Sequence, residues 1–188
     1  MGSLVQFYML APSGRLEAAE LCALRERSPN FTAELWRPSR AKPFAPGRRD
    51  PRILSYSLMH AAGAFQNSDF GMIMLRAPDG AIAHSSMIMP GFSRFPFMER
   101  SDLQIGATKT PLQYRGKGLA VRAIYEAIAL LGRDRRYWYL TESANTASVR
   151  VIEKARFILA GTGTKASQYG LPLLGAYRID STGESPFR

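Results

Sequence analysis

The stretch Gln113 to Ala120, QYRGKGLA, sets two glycines around a lysine. Behind it, Ala120, Ile124, Ile128 and Leu131 recur at helical spacing, broadened by Val121 and Ala127, and predict a helix over Lys117 to Leu131 closed by Gly132. Ahead of it, Leu103 to Thr110 reads as a strand. A strand that breaks into a helix through glycine leaves the first helical N–H groups unpaired, where the helix dipole adds partial positive charge. Glycine also lets a phosphate approach the backbone closely. The chemistry on offer is capture of an anion by the backbone of Arg115 to Ala120, with Lys117 and Arg122 as side-chain partners.

Three phosphate-binding patterns compete for this turn and its surroundings. The P-loop needs Gly-x-x-x-x-Gly-Lys-Ser/Thr, which does not occur, since Leu119 follows Gly118. A dinucleotide fingerprint is met formally by Gly161-Thr162-Gly163-Thr164-Lys165-Ala166, but Ser167 to Pro172 cannot continue as the helix such a motif must open. The third pattern, Gln/Arg-x-x-Gly-x-Gly/Ala between strand and helix, is met by Gln113, Gly116 and Gly118. In it, and in the run Asn145 to Phe157 (NTASVRVIEKARF), the chain resembles the GCN5-related N-acetyltransferases. The resemblance is close from Leu103 to Thr164 and looser, by element order alone, ahead of that.

It implies acetyl-CoA as the cofactor and direct transfer of the acetyl group to a primary amine while both substrates are bound. Such chemistry needs alignment, donors for a developing oxyanion and a path for the amine proton. By correspondence, pantetheine lies along Ala107, Thr108, Lys109 and Thr110 and along Tyr139 to Thr141. A backbone N–H near Lys109 or Thr110 is the oxyanion donor, and Gln113, Arg115, Gly116, Lys117, Gly118, Leu119 and Ala120 hold the pyrophosphate. Asn145, with Ser148 one helical turn along, meets the pantetheine. Two departures stand out: Arg156 replaces the glycine usual before Phe157, and Ile152 occupies the position of a tyrosine that protonates the departing thiolate. Glu99, Asp102 and Glu142 are the carboxylates nearest the expected strand ends, Glu142 foremost as the base, with His60 and His84 ranked below it. Cys22, without a nearby histidine in sequence, is expected in the core, and Tyr177 as packing.

The elements that must position these groups follow from pattern. Ser3 to Leu10 is apolar enough for a buried strand, and Arg15 to about Arg27 has helical spacing, ended by Ser28-Pro29-Asn30. Trp36 to Arg52 holds four prolines and six basic residues, which predicts a basic loop without regular structure. Ile53 to Gln66 suits a helix ending near Gly63. Phe70 to Arg76 and Ala81 to Met89, joined by Ala77-Pro78-Asp79-Gly80, predict a hairpin. Pro90 to Arg100 is irregular and aromatic, Tyr137 to Glu142 is a strand, and Asn145 or Ser143 caps a helix. Two more strands, Phe157 to Thr164 and Leu171 to Ile179, close the chain across a Lys165 to Gly170 connection. The expected fold class is α/β (α+β): one domain over residues 1–188, with a mixed, mostly antiparallel sheet of six to seven strands, flanking helices and a splayed parallel pair.

Composition bounds the partners. Of 188 residues 46% are hydrophobic and 21% charged, enough apolar surface for a core. The single cysteine excludes an internal disulfide and any multi-cysteine metal cluster and points to a reducing compartment, the cytoplasm by default. No export or membrane-spanning segment is indicated. A net charge of +10 favours anionic ligands. The expected acceptor is a small-molecule amine, an anionic one suiting the basic loop, with an amino sugar or nucleotide-linked sugar among the candidates. A CoA-binding module of reduced activity and a basic nucleic-acid binder are the alternatives, the latter without a helix-turn-helix, zinc-finger or RNP-like pattern. The oligomeric state, a homodimer included, stays open.

Overall fold

A computed structural model describes residues 4–12, 18–39, 41–47, 50–168 and 171–182. Its spine is an eight-stranded sheet in the order β2-β3-β4-β5-β6-β1-β7-β8. The first strand, β1 (Val5–Leu10), carries Phe7 and Met9 on one face and Tyr8 and Leu10 on the other, all buried. A strand apolar on both faces belongs inside a sheet, and β1 lies between β6 (Tyr137–Glu142) and β7 (Ile158–Gln168), antiparallel to both. The last strand, β8 (Leu171–Thr182), pairs with β7.

On the other side, β2 (Thr32–Trp36), β3 (Gly71–Arg76), β4 (Ile82–Pro90) and β5 (Leu103–Lys109) form an antiparallel run. The two halves meet at the parallel pair β5–β6, which holds only over Leu103↔Tyr137 and Gln104↔Trp138. β6 stays paired with β1 along its whole length, so the gap opens on the β5 side.

One face of the sheet packs on α1 (Ala18–Glu26), α3 (Leu119–Leu131) and α4 (Thr146–Lys154), around Ile73, Leu75, Ile105, Ile124 and Ile152. The other packs on α2 (Pro51–Ala61) and the loop from Phe92 to Met98, around Phe7, Met72, Met74, Met87 and Trp138. Buried charge ties α1 to α3: Arg122, 5% exposed, bonds Glu126, the Ser28 hydroxyl at 2.8 Å and the Ser28 and Phe31 carbonyls, while Arg25 forks onto Glu126 at 2.9 and 2.6 Å.

Several expectations are corrected. The sheet has eight strands rather than six or seven. The additional one, β2, is an edge strand whose first three residues are exposed, so it shows almost none of the alternation that marks a half-buried strand. α2 begins at Pro51, inside the segment read as loop, because Asp50 caps it by accepting from the Arg52 amide at 3.0 Å and Pro51 fills the first turn. The expected connection from Lys165 continues as strand to Gln168, with Lys165 opposite Tyr177. Cys22 is exposed, since α1 turns Leu21 inward and leaves its neighbour outside. Ser3, Leu16, Arg40, Arg48 and Arg49 lie outside the described residues.

Candidate active site

The opening between β5 and β6 leads directly to the glycine turn. A single 3₁₀ turn, Leu112–Tyr114, follows β5, and Gly116 and Gly118 then adopt left-handed backbone at φ +78° and +73°. A side chain would strain that conformation, although nothing lies within 4 Å of a Cβ built at either. No side chain caps α3, whose first backbone bond runs from the Arg122 amide to the Gly118 carbonyl at 3.1 Å. The amides of Leu119, Ala120 and Val121 in the first turn therefore point outward along the helix axis. Arg115 folds back, Nε donating to the Thr110 carbonyl at 3.1 Å, and Lys117 places its ammonium 5.6 Å from the centre of the Tyr114 ring. Gln113, Arg115 and Lys117 are exposed and Leu119 is buried. Arg122, expected to help with phosphates, is engaged on the α1 side and cannot reach out to one.

β5 is itself distorted at the gap. Its register with β4 advances from Met87↔Gly106 to Ser85↔Lys109, three residues on β5 against two on β4, and Ala107 has φ +45°. A bulge of this kind re-aims backbone groups next to the opening. Ala107, Thr108, Lys109 and Thr110 thus line one edge of the gap and Tyr139 to Thr141 the other.

A chain of buried and half-buried polar side chains crosses the gap on the α3/α4 face. Thr110 Oγ1 meets His84 Nδ1 at 2.8 Å, and His84 Nε2 meets Ser86 Oγ at 2.9 Å. Ser86 Oγ meets Thr108 Oγ1 at 3.0 Å, and Thr108 Oγ1 meets the Tyr139 hydroxyl at 2.9 Å. Ser148, in the first turn of α4, bonds the same phenol. Burial raises the Tyr139 pKa, and the hydrogen bonds from Thr108 and Ser148 only partly offset that, so the phenol keeps its proton. Asn145 caps α4, its Oδ1 accepting from the Ser148 amide at 3.1 Å. Ile152 is fully buried in the same core.

The carboxylates separate clearly. Asp102 lies buried at the closed end of the β5–β6 pair, accepting from Trp138 Nε1 at 2.8 Å, Arg136 Nε at 3.2 Å and the Glu99 amide at 3.0 Å. Glu99 pairs with Arg136 at the same end. Neither of these candidate bases faces the gap: both lock the strand starts. Glu142 stands exposed at the open end of β6, beside the Asn145 turn. His60 packs against Phe65 and Phe70, away from the gap.

On the opposite face a cavity of about 150 Å³ reaches the bulge from the α2 side. Arg52 and Tyr56 of α2, Arg94 and Phe95 of the aromatic loop, Tyr177 of β8, and Gln104, Gly106 and Ala107 of β5 line it. The end of the basic segment, Asp50 and Arg52, and the aromatic loop, through Arg94 and Phe95, therefore converge there. Tyr177 stacks on Phe95 at 5.6 Å and carries the Arg94 guanidinium over its ring. His84 and Tyr139, each a candidate from sequence, are joined here through Ser86 and Thr108, a link the sequence does not reveal, and Gln104 is not among the sequence candidates. The signal available was two polar pairs at alternate positions, His84 with Ser86 and Thr108 with Thr110, each on one face of its strand.

No family model and no curated protein matches the sequence. Solved structures do match in fold. A protein of Novosphingobium aromaticivorans assigned to the GNAT family of acetyltransferases aligns over 86% of this chain and 62% of its own, at TM-score 0.51 and 17% identity. A GCN5-related glucosamine N-acetyltransferase region in a fungal multi-domain GH3 β-N-acetylglucosaminidase aligns over 85% of this chain and 20% of its own, at 0.56 and 12%. A tandem GNAT protein from the clavulanic acid biosynthesis pathway aligns over 84% and 50%, at 0.51 and 11%. The chain spans about three-fifths of the first of these, half of the last and a fifth of the fungal protein. The fold is that of the GCN5-related N-acetyltransferases, as the sequence resemblance implied.

Proposed function

We propose that the chain is an acetyl-CoA-dependent N-acetyltransferase that moves an acetyl group to a primary amine of a small molecule by direct transfer in a ternary complex. The observation that carries this is the parallel pair that parts after Gln104 and opens onto a left-handed glycine turn at the start of α3. Bound acetyl-CoA would supply an acyl group activated as a thioester. The backbone of Arg115 to Ala120 would hold its pyrophosphate with Lys117, and pantetheine would run along Ala107 to Thr110, facing Tyr139 to Thr141 and the α4 start at Asn145 and Ser148. A backbone N–H of the segment around Lys109 and Thr110 would face the carbonyl oxygen.

Net transfer removes one proton from the amine nitrogen and gives one to the departing sulfur. Glu142 is the candidate base, the one carboxylate of the three considered that stands at the open end. For the sulfur, the tyrosine position of the resemblance is Ile152, and Tyr139 offers a protonated phenol from the facing strand instead. The chain through Thr108, Ser86 and His84 can return a proton to it.

The test is calorimetric titration with acetyl-CoA of the protein and of Gly118→Glu. Binding by the first and not the second is expected, followed by amine-dependent thiol release. If neither binds, the reading fails and retention on nucleic acid, with its steep salt dependence, becomes the next measurement.

A further inference from the structure

Two side chains that line the cavity on the α2 face, Arg94 and Gln104, keep polar atoms in reserve. Arg94 Nε, a donor, and Gln104 Oε1, an acceptor, are buried without a hydrogen-bond partner among the described residues. A buried polar group left so costs about 1–3 kcal/mol, so both side chains gain from a polar partner entering the cavity.

Both side chains are held in place. Arg94 donates through Nη1 to the Tyr56 hydroxyl at 3.4 Å, lies 5.5 Å above the Tyr177 ring, and accepts the Tyr177 amide on its carbonyl at 2.9 Å. The Gln104 carboxamide lies along β5 over Gly106, where a Cβ would stand 3.2 Å from its Nε2.

Charge in the cavity is lopsided. Among the described residues Asp50 is the only acid in the lining, and it accepts from Arg52 Nε at 3.0 Å and Nη2 at 2.7 Å. No carboxylate pairs with Arg94 or Lys165 among the described residues. Lys165, on the strand beside Tyr177, has its pKa lowered by burial first and by the Arg94 charge second. Two cations that repel in a partly desolvated place favour an anion between them.

We propose that the acceptor is a compact primary amine bearing a carboxylate or phosphate, its anionic group on Arg94 and its amine turned towards the bulge. This rests on the acetyltransferase reading. A volume of 150 Å³ is that of roughly five waters, so it takes the reacting end of a small molecule and leaves a nucleotide-linked sugar mostly outside.

The experiment sets each of four amines against a neutral counterpart at saturating acetyl-CoA: two α-amino acids against their amides, and two amino-sugar phosphates against the free amino sugars. It is read as thiol release, and in parallel as calorimetric binding of the same amines to the protein loaded with CoA. Anionic members of one set or both are expected to exceed their neutral partners at least about tenfold in kcat/KM and to bind the CoA complex. Which set responds distinguishes carboxylate from phosphate. Arg94→Gln should raise KM for the anionic members about 10- to 100-fold and leave the neutral ones within about twofold. Arg94→Lys should restore part of the preference. Equal turnover of anionic and neutral amines overturns the proposal, as does an Arg94→Gln loss common to both. If acetyl-CoA and CoA bind but no anionic amine does, this inference fails and the cofactor reading stands. If CoA itself does not bind, the failure lies with the cofactor reading.

Discussion

Replacing Tyr139 by Phe removes one hydroxyl from the centre of the polar chain and separates a structural from a chemical role. Tyr139 is 3% exposed and its ring meets Phe157 edge-on at 6.4 Å, a contact the variant keeps. Thr108 Oγ1 retains Ser86 at 3.0 Å, and Ser148 is only half-buried, so neither neighbour is orphaned. The folding loss is then two hydrogen bonds, about 1–3 kcal/mol. For a chain of this size that is a fall in Tm of roughly 2–12 °C. A phenol that protonates the departing sulfur contributes about 10²- to 10⁴-fold in rate, or about 2.7–5.4 kcal/mol of barrier. Thermal unfolding reads the first loss and turnover of the folded protein reads the second. The assay is kcat at saturating acetyl-CoA and amine, repeated as kcat/KM with an acetyl thioester of a strongly acidic aryl thiol. Such a leaving group departs without help, so the Tyr139→Phe loss should nearly vanish there. A loss below threefold with acetyl-CoA, or the same loss with both donors, would refute the role given to Tyr139.

Gly118→Ala should cost about 1–2 kcal/mol of stability through its left-handed backbone alone, since the site is open, yet weaken acetyl-CoA at least tenfold in calorimetry. Gly80→Ala, at φ +79° in an equally open hairpin turn, should cost the same in thermal unfolding and leave that affinity unchanged; equal affinity losses would remove the glycine turn from the site. At the α1–α3 junction, Glu126→Leu strips Arg122 of its counter-charge and should destabilise by about 3–5 kcal/mol in urea unfolding. Burial alone would raise the Glu126 pKa, but Arg25 and Arg122 outweigh it and hold the carboxyl below its ordinary 4.5. Its contribution is therefore present above pH 4.5 and lost as pH falls through the lower folded value. The stability gap between the protein and Glu126→Gln should shrink in that acid window and stay constant above it.

What could be read in advance was whatever the chain encodes within one turn or one element. The glycine turn, the α3 stripe with Gly132 behind it, and the Asn145 cap are all local, and all lie where the pattern puts them. β2 is not local in that sense: Thr32, Ala33 and Glu34 are exposed, and the strand exists because β3 offers it an edge. The Asp50-Pro51 pair is legible: proline breaks a helix in its interior, but directly after a capping aspartate it starts one. Arg122 illustrates the limit of a charge read by sequence distance: it is close to the glycines along the chain, but helical rotation turns it towards Ser28 and Glu126.

The polar chain is harder to read because no single element contains it. His84 and Ser86 lie on β4, Thr108 on β5 and Thr110 just past its end, Tyr139 on β6 and Ser148 on α4, so only the register between strands brings them together. That register is peculiar, since the bulge at Ala107 shifts the β5 face by one residue relative to β4. Without it, Thr108 and Thr110 would fall on the α2 face beside Gly106, and the His84–Ser86 pair would lose the two hydroxyls it meets on the neighbouring segment, at about 0.5–1.5 kcal/mol for each bond lost. The penalty for misregister is what makes the arrangement self-consistent: the bulge that opens the sheet also puts a hydroxyl beside His84, Ser86 and Tyr139. Two alternate-position polar pairs on otherwise apolar strands are therefore a readable sign of a buried network, while the identity of the strand that completes it has to come from the fold.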